Sequence, residues 1–223
     1  MRRLAIALAI VLGVVACAIA LTYLHSGTAA PLLGHGEKET HIYIISALAS
    51  EPMSLLYNVS LVTNSSITHG LLFFESSGTG KYLLLFMYGT NAYATIVLKN
   101  GTTYTVCKLF MIVQNNKTKV AKIISKQILN NPVKALLSMR LGNVTLYEIF
   151  SLQARYHMIN STITFENYNV LIHSVDYGGV LVPYKIAVKG RNEILNMTLV
   201  KFYKMFNGVV MNNLESLCTG ASR

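Results

Sequence analysis

The sequence predicts a mainly β, α+β domain. Its core is an antiparallel incomplete barrel or strongly curved sheet with a short helical pair inserted midway, behind an N-terminal transmembrane helix. Three observations predict this. Apolar runs of strand length, joined by short polar turns, follow one another on both sides of residue 115. Between them, around residues 119–137, apolar residues recur at helical spacing. Ahead of both, Leu4–Leu24 runs for twenty-one residues without a charge.

That leading segment has the length needed to span the roughly 30 Å hydrocarbon core of a bilayer. Arg2 and Arg3 before it hold its start on the cytoplasmic side. Everything after Leu24 is therefore expected outside the cell. Three fates fit: an uncleaved signal anchor, cleavage at Ala16-Cys17-Ala18 or Ala18-Ile19-Ala20, or lipidation at Cys17 after Val14-Val15-Ala16. The full apolar length favours the anchor. The expected division is 1–24 signal anchor or signal peptide, 25–40 linker, and 41–223 one extracytoplasmic β-rich domain. The destination is a single-pass protein of the cell membrane with its C-terminal domain outside, or a secreted one after cleavage.

Composition narrows the partners. Beyond Leu24 the chain keeps 17 Lys+Arg, the total of 19 less Arg2 and Arg3, against 9 Asp+Glu. That basic balance suits anionic lipids or acidic glycans, but no Lys/Arg block has nucleic-acid-binding density. No nucleic acid is expected. Asn-x-Ser/Thr occurs at Asn58, Asn64, Asn100, Asn116, Asn143, Asn160 and Asn196. With 17 Asn and 33 Ser+Thr in the chain, chance would give about two or three such sites. An exported glycoprotein is the reading, with each used site facing solvent. Cys107 and Cys218 remain after Cys17, either bridged in an oxidising compartment or as two separate buried thiols.

The elements are read in order. His41–Ala49 is ambiguous, with a helix start after Thr40 preferred. Ser54–Thr63, Ile67–Glu75, Lys81–Tyr88, Tyr93–Lys99 and Thr102–Val113 then read as strands of a meander. Asn100-Gly101 is the strongest hairpin signal, since both residues tolerate positive φ. Val120, Ile123, Ile124 and Ile128 recur at helical spacing with Lys119, Lys122 and Lys126 on another face, which predicts an amphipathic helix. Asn130-Asn131-Pro132 breaks it, and Val133, Leu136 and Leu137 begin a second. Strands resume over Val144–Phe150, Arg155–Ile159, Ser161–Glu166, Val170–Val175, Gly179–Val188 and Ile194–Phe206. Tyr82–Tyr88 is apolar at every position, so both of its faces need cover: helices on one side and a second sheet, a lipid or another subunit on the other.

No convergent catalytic set appears, and the expectation is a protein that is not an enzyme. Asp176 is the sole aspartate and sits in a Tyr-Gly-Gly turn, with His173 nearby as a strand residue. The six histidines show no metal-ligand spacing, so neither a metal nor a cofactor is expected. Gly78-Thr79-Gly80-Lys81 is similar to a phosphate loop, but Glu75 and Tyr82 stand where that loop needs Gly and Ser/Thr.

One stretch carries a resemblance. Gly178-Gly179-Val180-Leu181-Val182-Pro183-Tyr184-Lys185-Ile186, followed by Leu195-Asn196-Met197-Thr198-Leu199-Val200-Lys201-Phe202, resembles the paired late strands of the LolA-like lipoprotein-carrier superfamily. The sheet-then-helix order around Asn115–Arg140 fits as well, and the resemblance runs roughly over residues 54–207. It implies an incomplete antiparallel barrel around short helices, with a hydrophobic cavity for acyl chains. Leu84, Phe86, Val120, Ile124 and Leu136, chosen by periodicity, are the expected cavity-lining residues. The expected role is a membrane-tethered, non-catalytic binding module for a lipid or other hydrophobic ligand. Its alternative is a structural cell-surface or filament subunit that self-assembles by strand complementation.

Overall fold

The computed structural model describes residues 41–114 and 117–219. The apolar leader, the linker, Cys17 and the Asn116 sequon lie outside the described residues. Strand β1 (Ile42–Tyr43) leads into helix α1 (Ile44–Ser50), so the helix starts three residues after the expected point. The meander follows as β2 (Pro52–Thr63), β3 (Ile67–Ser77), β4 (Lys81–Tyr88), β5 (Asn91–Asn100) and β6 (Thr103–Gln114). Each strand pairs antiparallel with the next. The β5–β6 hairpin closes one residue later than the sequence implies. Asn100 pairs with Thr103, leaving Gly101 and Thr102 as the loop, and Gly101 takes a φ of +61°.

The helix expected over Val120–Ile128 is a strand. β7 (Lys117–Gln127) pairs with β6 along its whole length, from Gln114–Lys117 to Tyr104–Gln127. Thr118, Val120, Ile123 and Ile124 are β-branched and favour an extended chain. A helix here would also have left the N–H and C=O groups of β6 unpaired.

The helical pair exists, displaced downstream. Helix α2 (Pro132–Leu136) is capped by Asn131, whose side chain accepts from the Lys134 N–H at 3.0 Å, with Pro132 in the first turn where a missing N–H costs nothing. A two-stranded hairpin of β8 (Arg140–Leu141) and β9 (Val144–Thr145) follows. Helix α3 (Leu146–Arg155) then replaces the strand expected over Val144–Phe150. Its cause is a reciprocal cap. The Glu148 N–H donates to Thr145 Oγ1 at 3.1 Å, and Glu148 Oε2 accepts from the Thr145 N–H at 2.7 Å. The strand expected over Arg155–Ile159 is a loop in which His157 adopts a φ of 51°.

Strands β10 (Asn160–Phe165), β11 (Tyr168–Asp176), β12 (Val180–Lys189) and β13 (Glu193–Tyr203) complete the sheet. Its spatial order is β10-β11-β12-β13-β2-β3-β4-β5-β6-β7, with β1 added parallel to β12. These eleven strands do not close, and β10 and β7 form the edges. A last helix that the sequence reading does not predict, α4 (Val209–Thr219), follows β13.

Side-chain alternation separates two cores. The inner face, including Tyr57, Leu84, Phe86, Ile172 and Met197, packs against α1, α2 and α3 through Leu48, Leu136 and Phe150. On the outer face of β4–β6, Leu83, Leu85, Ile96 and Leu109 pack against Met211 and Leu214 of α4. The second cover needed by Tyr82–Tyr88 is thus the chain's own helix. Cys107 and Cys218 are bridged, with Cα atoms 6.1 Å apart and a separation of 111 positions in sequence, which fixes α4 to β6. Lys81 Nζ adds an ion pair to Glu215 at 3.1 Å.

Candidate functional site

The five expected lining residues are divided between the two faces. Leu84, Phe86 and Leu136 come together in the inner core, where they are buried. Val120 lies on the outer face beside the α4 cluster. Ile124 shares that face opposite Cys107 and is 43% exposed. Because a strand sends successive side chains to opposite sides, Ile123 takes the inner position instead.

Three aromatic rings fill the centre of the inner core. Phe74 packs edge-on to both Tyr57 and Phe150, with ring centroids 6.1 Å and 5.8 Å away. The Tyr57 hydroxyl donates to the Pro183 carbonyl at 2.8 Å. Burial pushes its phenol well above the ordinary tyrosine value, so Tyr57 serves as a neutral donor.

Open space begins where the sheet outruns the helices. A cleft of about 360 Å³ lies between α2 and the inner face of β6–β7, lined by Val106, Lys108, Ile123, Ser125, Gln127, Ala135 and Ser138. Ile123 is 71% exposed there, and Phe110, the next inward-facing residue of β6, is exposed as well. Lys108 Nζ donates to Ser138 Oγ at 3.4 Å, which places a cation at the rim. The arrangement offers apolar contact on a sheet flange with one charged group beside it. A second groove of about 640 Å³ runs between α1 and α3, past Ser46, Ala49, Tyr147, Ser151 and Arg155. Ser151 Oγ is buried there and finds no hydrogen-bond partner among the described residues.

Chemistry-bearing side chains elsewhere are paired structurally. Asp176 Oδ1 accepts from the Gly179 N–H at 2.7 Å, and its other oxygen lies 3.3 Å from His41 Nδ1. His173 Nδ1 is 3.1 Å from Asn160 Oδ1, so His173 and Asp176 do not form a common site. Among the described residues no three His, Cys, Asp or Glu side chains gather as metal ligands would. The loop at Gly78-Thr79-Gly80 is a strand turn held by Ser76 and Ser77 hydroxyls.

The six described sequon asparagines, Asn58, Asn64, Asn100, Asn143, Asn160 and Asn196, are all exposed. Asn58 and Asn196 interlock on the outer face, since Asn58 pairs with Thr198 and Ser60 with Asn196. That half of the outer face is polar, in contrast to the half under α4.

Val106, Ala135 and above all Ile123 are the cleft residues the sequence reading misses. Strand parity would have found Ile123 once β7 was read as extended. No family model matches the chain, and no curated protein matches it. In its fold the chain is similar to a LolA superfamily protein from Nitrosomonas europaea, over 73% of this chain and 92% of that one, at 8% identity and a TM-score of 0.37. A likeness at that score is one of outline only.

Proposed function

We propose that this chain is an exported, membrane-tethered, non-catalytic binding module that takes a lipid acyl chain or another apolar ligand. The observation that carries the reading is the uncovered inner flange of β6–β7, where Ile123 stands 71% exposed beside Val106 and Ala135 around the 360 Å³ cleft. Small-molecule sites are mostly apolar concavities of this size with a few placed polar groups. Export is supported by the uncharged Leu4–Leu24 segment, the exposed sequons and the Cys107–Cys218 bridge. Native mass spectrometry of the gently extracted full chain tests it, together with displacement of a fluorescent fatty acid. The expected result is a co-purifying apolar mass and at least about tenfold weaker binding in Ile123→Glu, since a charge there must be desolvated. A ligand-free mass with no probe binding overturns the reading.

A second reading rests on the sheet edge. β7 is eleven residues long, and among the described residues nothing pairs with its far side. An open edge of that length is a template for strand addition from another copy. Lys119, Lys122 and Lys126 along it oppose such pairing between like chains. Electron microscopy of purified protein separates the two: polymers favour a surface filament, and concentration-independent monomers dismiss it.

A further inference from the structure

One end of the sheet gathers six exposed apolar or aromatic side chains: Ile42, Tyr156, Ile159, Tyr177, Tyr203 and Met205. Four segments distant in sequence bring them there. Tyr156 and Ile159 lie in the loop after α3, whose Ile159 carbonyl accepts from the Ser174 N–H at 2.6 Å. Tyr177 lies in the β11–β12 turn, with its ring 5.0 Å from that of Phe202. Tyr203 and Met205 flank Lys204, whose Nζ donates to the Gly178 carbonyl of the same turn at 3.2 Å. The Ile42 N–H donates to the Gly179 carbonyl at 2.9 Å.

The chain also enters the domain at this end. His41 is paired with Asp176, and the Tyr43 hydroxyl lies 2.6 Å from His157 Nδ1. Sixteen residues, 25–40, separate His41 from the uncharged Leu4–Leu24 segment. Even fully extended they reach at most about 58 Å. Tethering over such a distance raises the effective concentration of the end near the bilayer, so modest contacts suffice.

Its chemistry suits a lipid surface. Tyrosine presents an apolar body and a polar tip, which places it at headgroup level, and Lys or Arg stems extend beside it. Arg155 and Lys201, the latter 5.8 Å from the centre of the Tyr203 ring, supply the cations. The carboxylates here, Asp176 and Glu51, already face His41 at 3.3 Å and Lys204 at 3.9 Å. Asn64 and Asn143 mark the opposite end, since Thr63 pairs with Glu193 and Glu193 Oε1 accepts from the Asn143 N–H at 3.0 Å. Two described sequons lie towards the aromatic end: Asn160 is directed along the outer face to His173, and Asn100 stands in the β5–β6 turn, four strands along the sheet from β13.

We infer that this end rests on the membrane in which the chain's own Leu4–Leu24 segment is seated, with Tyr156, Tyr177 and Tyr203 among the lipid headgroups. The inference rests on the tethered reading above. The chain has no Trp, so Tyr156→Trp, Tyr203→Trp and Ile67→Trp each install a single reporter. Ile67 begins β3 at the far end and is 64% exposed. The full-length variants are reconstituted into phosphatidylcholine–phosphatidylglycerol vesicles containing brominated lipid.

Emission at positions 156 and 203 is expected to fall about twofold or more, with little change at 67. Quenching equal at all three positions, or absent at 156 and 203, overturns the inference. Vesicle flotation separates the two layers: a chain that floats yet stays unquenched sinks this inference alone, and one that fails to float sinks the tether with it. Hydrogen exchange on the unsubstituted chain repeats the test without tryptophan. Slower exchange over 177–179 and 203–206 in vesicles than in detergent supports membrane contact, and unchanged exchange refutes it.

Discussion

Glu75 Oε1 accepts hydrogen bonds from the N–H groups of Asn207 at 2.9 Å and Gly208 at 2.8 Å, tying β3 to the entry of α4. The carboxylate is buried, and its second oxygen has no hydrogen-bond partner among the described residues. Burial raises its pKa above the ordinary carboxylate value, while the backbone donors of Gly208, Asn207 and Met211 oppose that rise.

A carboxyl with a raised folded-state pKa contributes stability that is complete below the unfolded value and is lost as pH rises through the folded one. Wild type should therefore lose stability relative to Glu75→Gln as the pH climbs from the ordinary carboxylate range towards neutrality. Urea unfolding of both proteins across that window measures it; parallel profiles would contradict the assignment. Glu75→Ala should cost about 1–3 kcal/mol at low pH, because it strands two N–H groups, and less as the pH rises through the folded-state value.

Removing the Cys107–Cys218 bridge should destabilise the domain by about 4–5 kcal/mol on chain-entropy grounds, given its 111-residue loop. Denaturant midpoints of the oxidised chain and of Cys107→Ser/Cys218→Ser give the difference. Limited proteolysis of the double variant should cut first within α4, where a latch has been lost. Cleavage elsewhere first would mean that α4 is held mainly by its apolar face.

Gly70 lies in β3 opposite Tyr88 and beneath the Phe86 ring. A Cβ there would stand 2.5 Å from the Met87 carbonyl oxygen and 2.6 Å from Phe86 Cε2. Gly70→Ala should cost about 1–3 kcal/mol through overpacking. Combining it with Phe86→Ala should recover part of that loss, and a double-mutant cycle reads the coupling. Strict additivity would show that Phe86 is not what excludes the methyl group.

Glycans should occupy Asn58 and Asn196 on the native protein, since both face outward on the half of the sheet that α4 leaves open. Intact mass before and after enzymatic deglycosylation, followed by peptide mapping, checks this. Asn58→Gln and Asn196→Gln should each remove one glycan mass while moving stability by no more than about 0.5 kcal/mol. An unmodified native protein would refute the prediction.

Strand content was legible because strands are long and alternation or continuous apolarity marks them. The strand expected over Lys81–Tyr88 matches β4 to the residue, and the late strands agree within a few. Two failures have physical causes. Val120, Ile123 and Ile124 fit a helical stripe as well as a strand, and the open edge of β6, the strand just before them in the chain, decides between the two. Leu146–Arg155 is helical because Thr145-Leu146-Tyr147-Glu148 is a capping box, a signal present in the sequence that outweighs the strand-like apolar run. The site inherited the first error. Once β7 is extended, Val120 and Ile124 leave the inner face and Ile123 enters the cleft.

The pairing of β2 with β13 sets a timetable for the growing chain. Thr63 meets Glu193 and Ser54 meets Tyr203, so β2 waits for a partner translated more than a hundred residues later. Leu83, Leu85 and Leu109 wait longer still, until Met211 and Leu214 arrive. While the chain is being made, the half-made sheet exposes greasy surface and one unzipped border, a combination prone to mispairing. Such a nascent domain needs either rapid delivery of its last fifth or a holdase waiting at the exit.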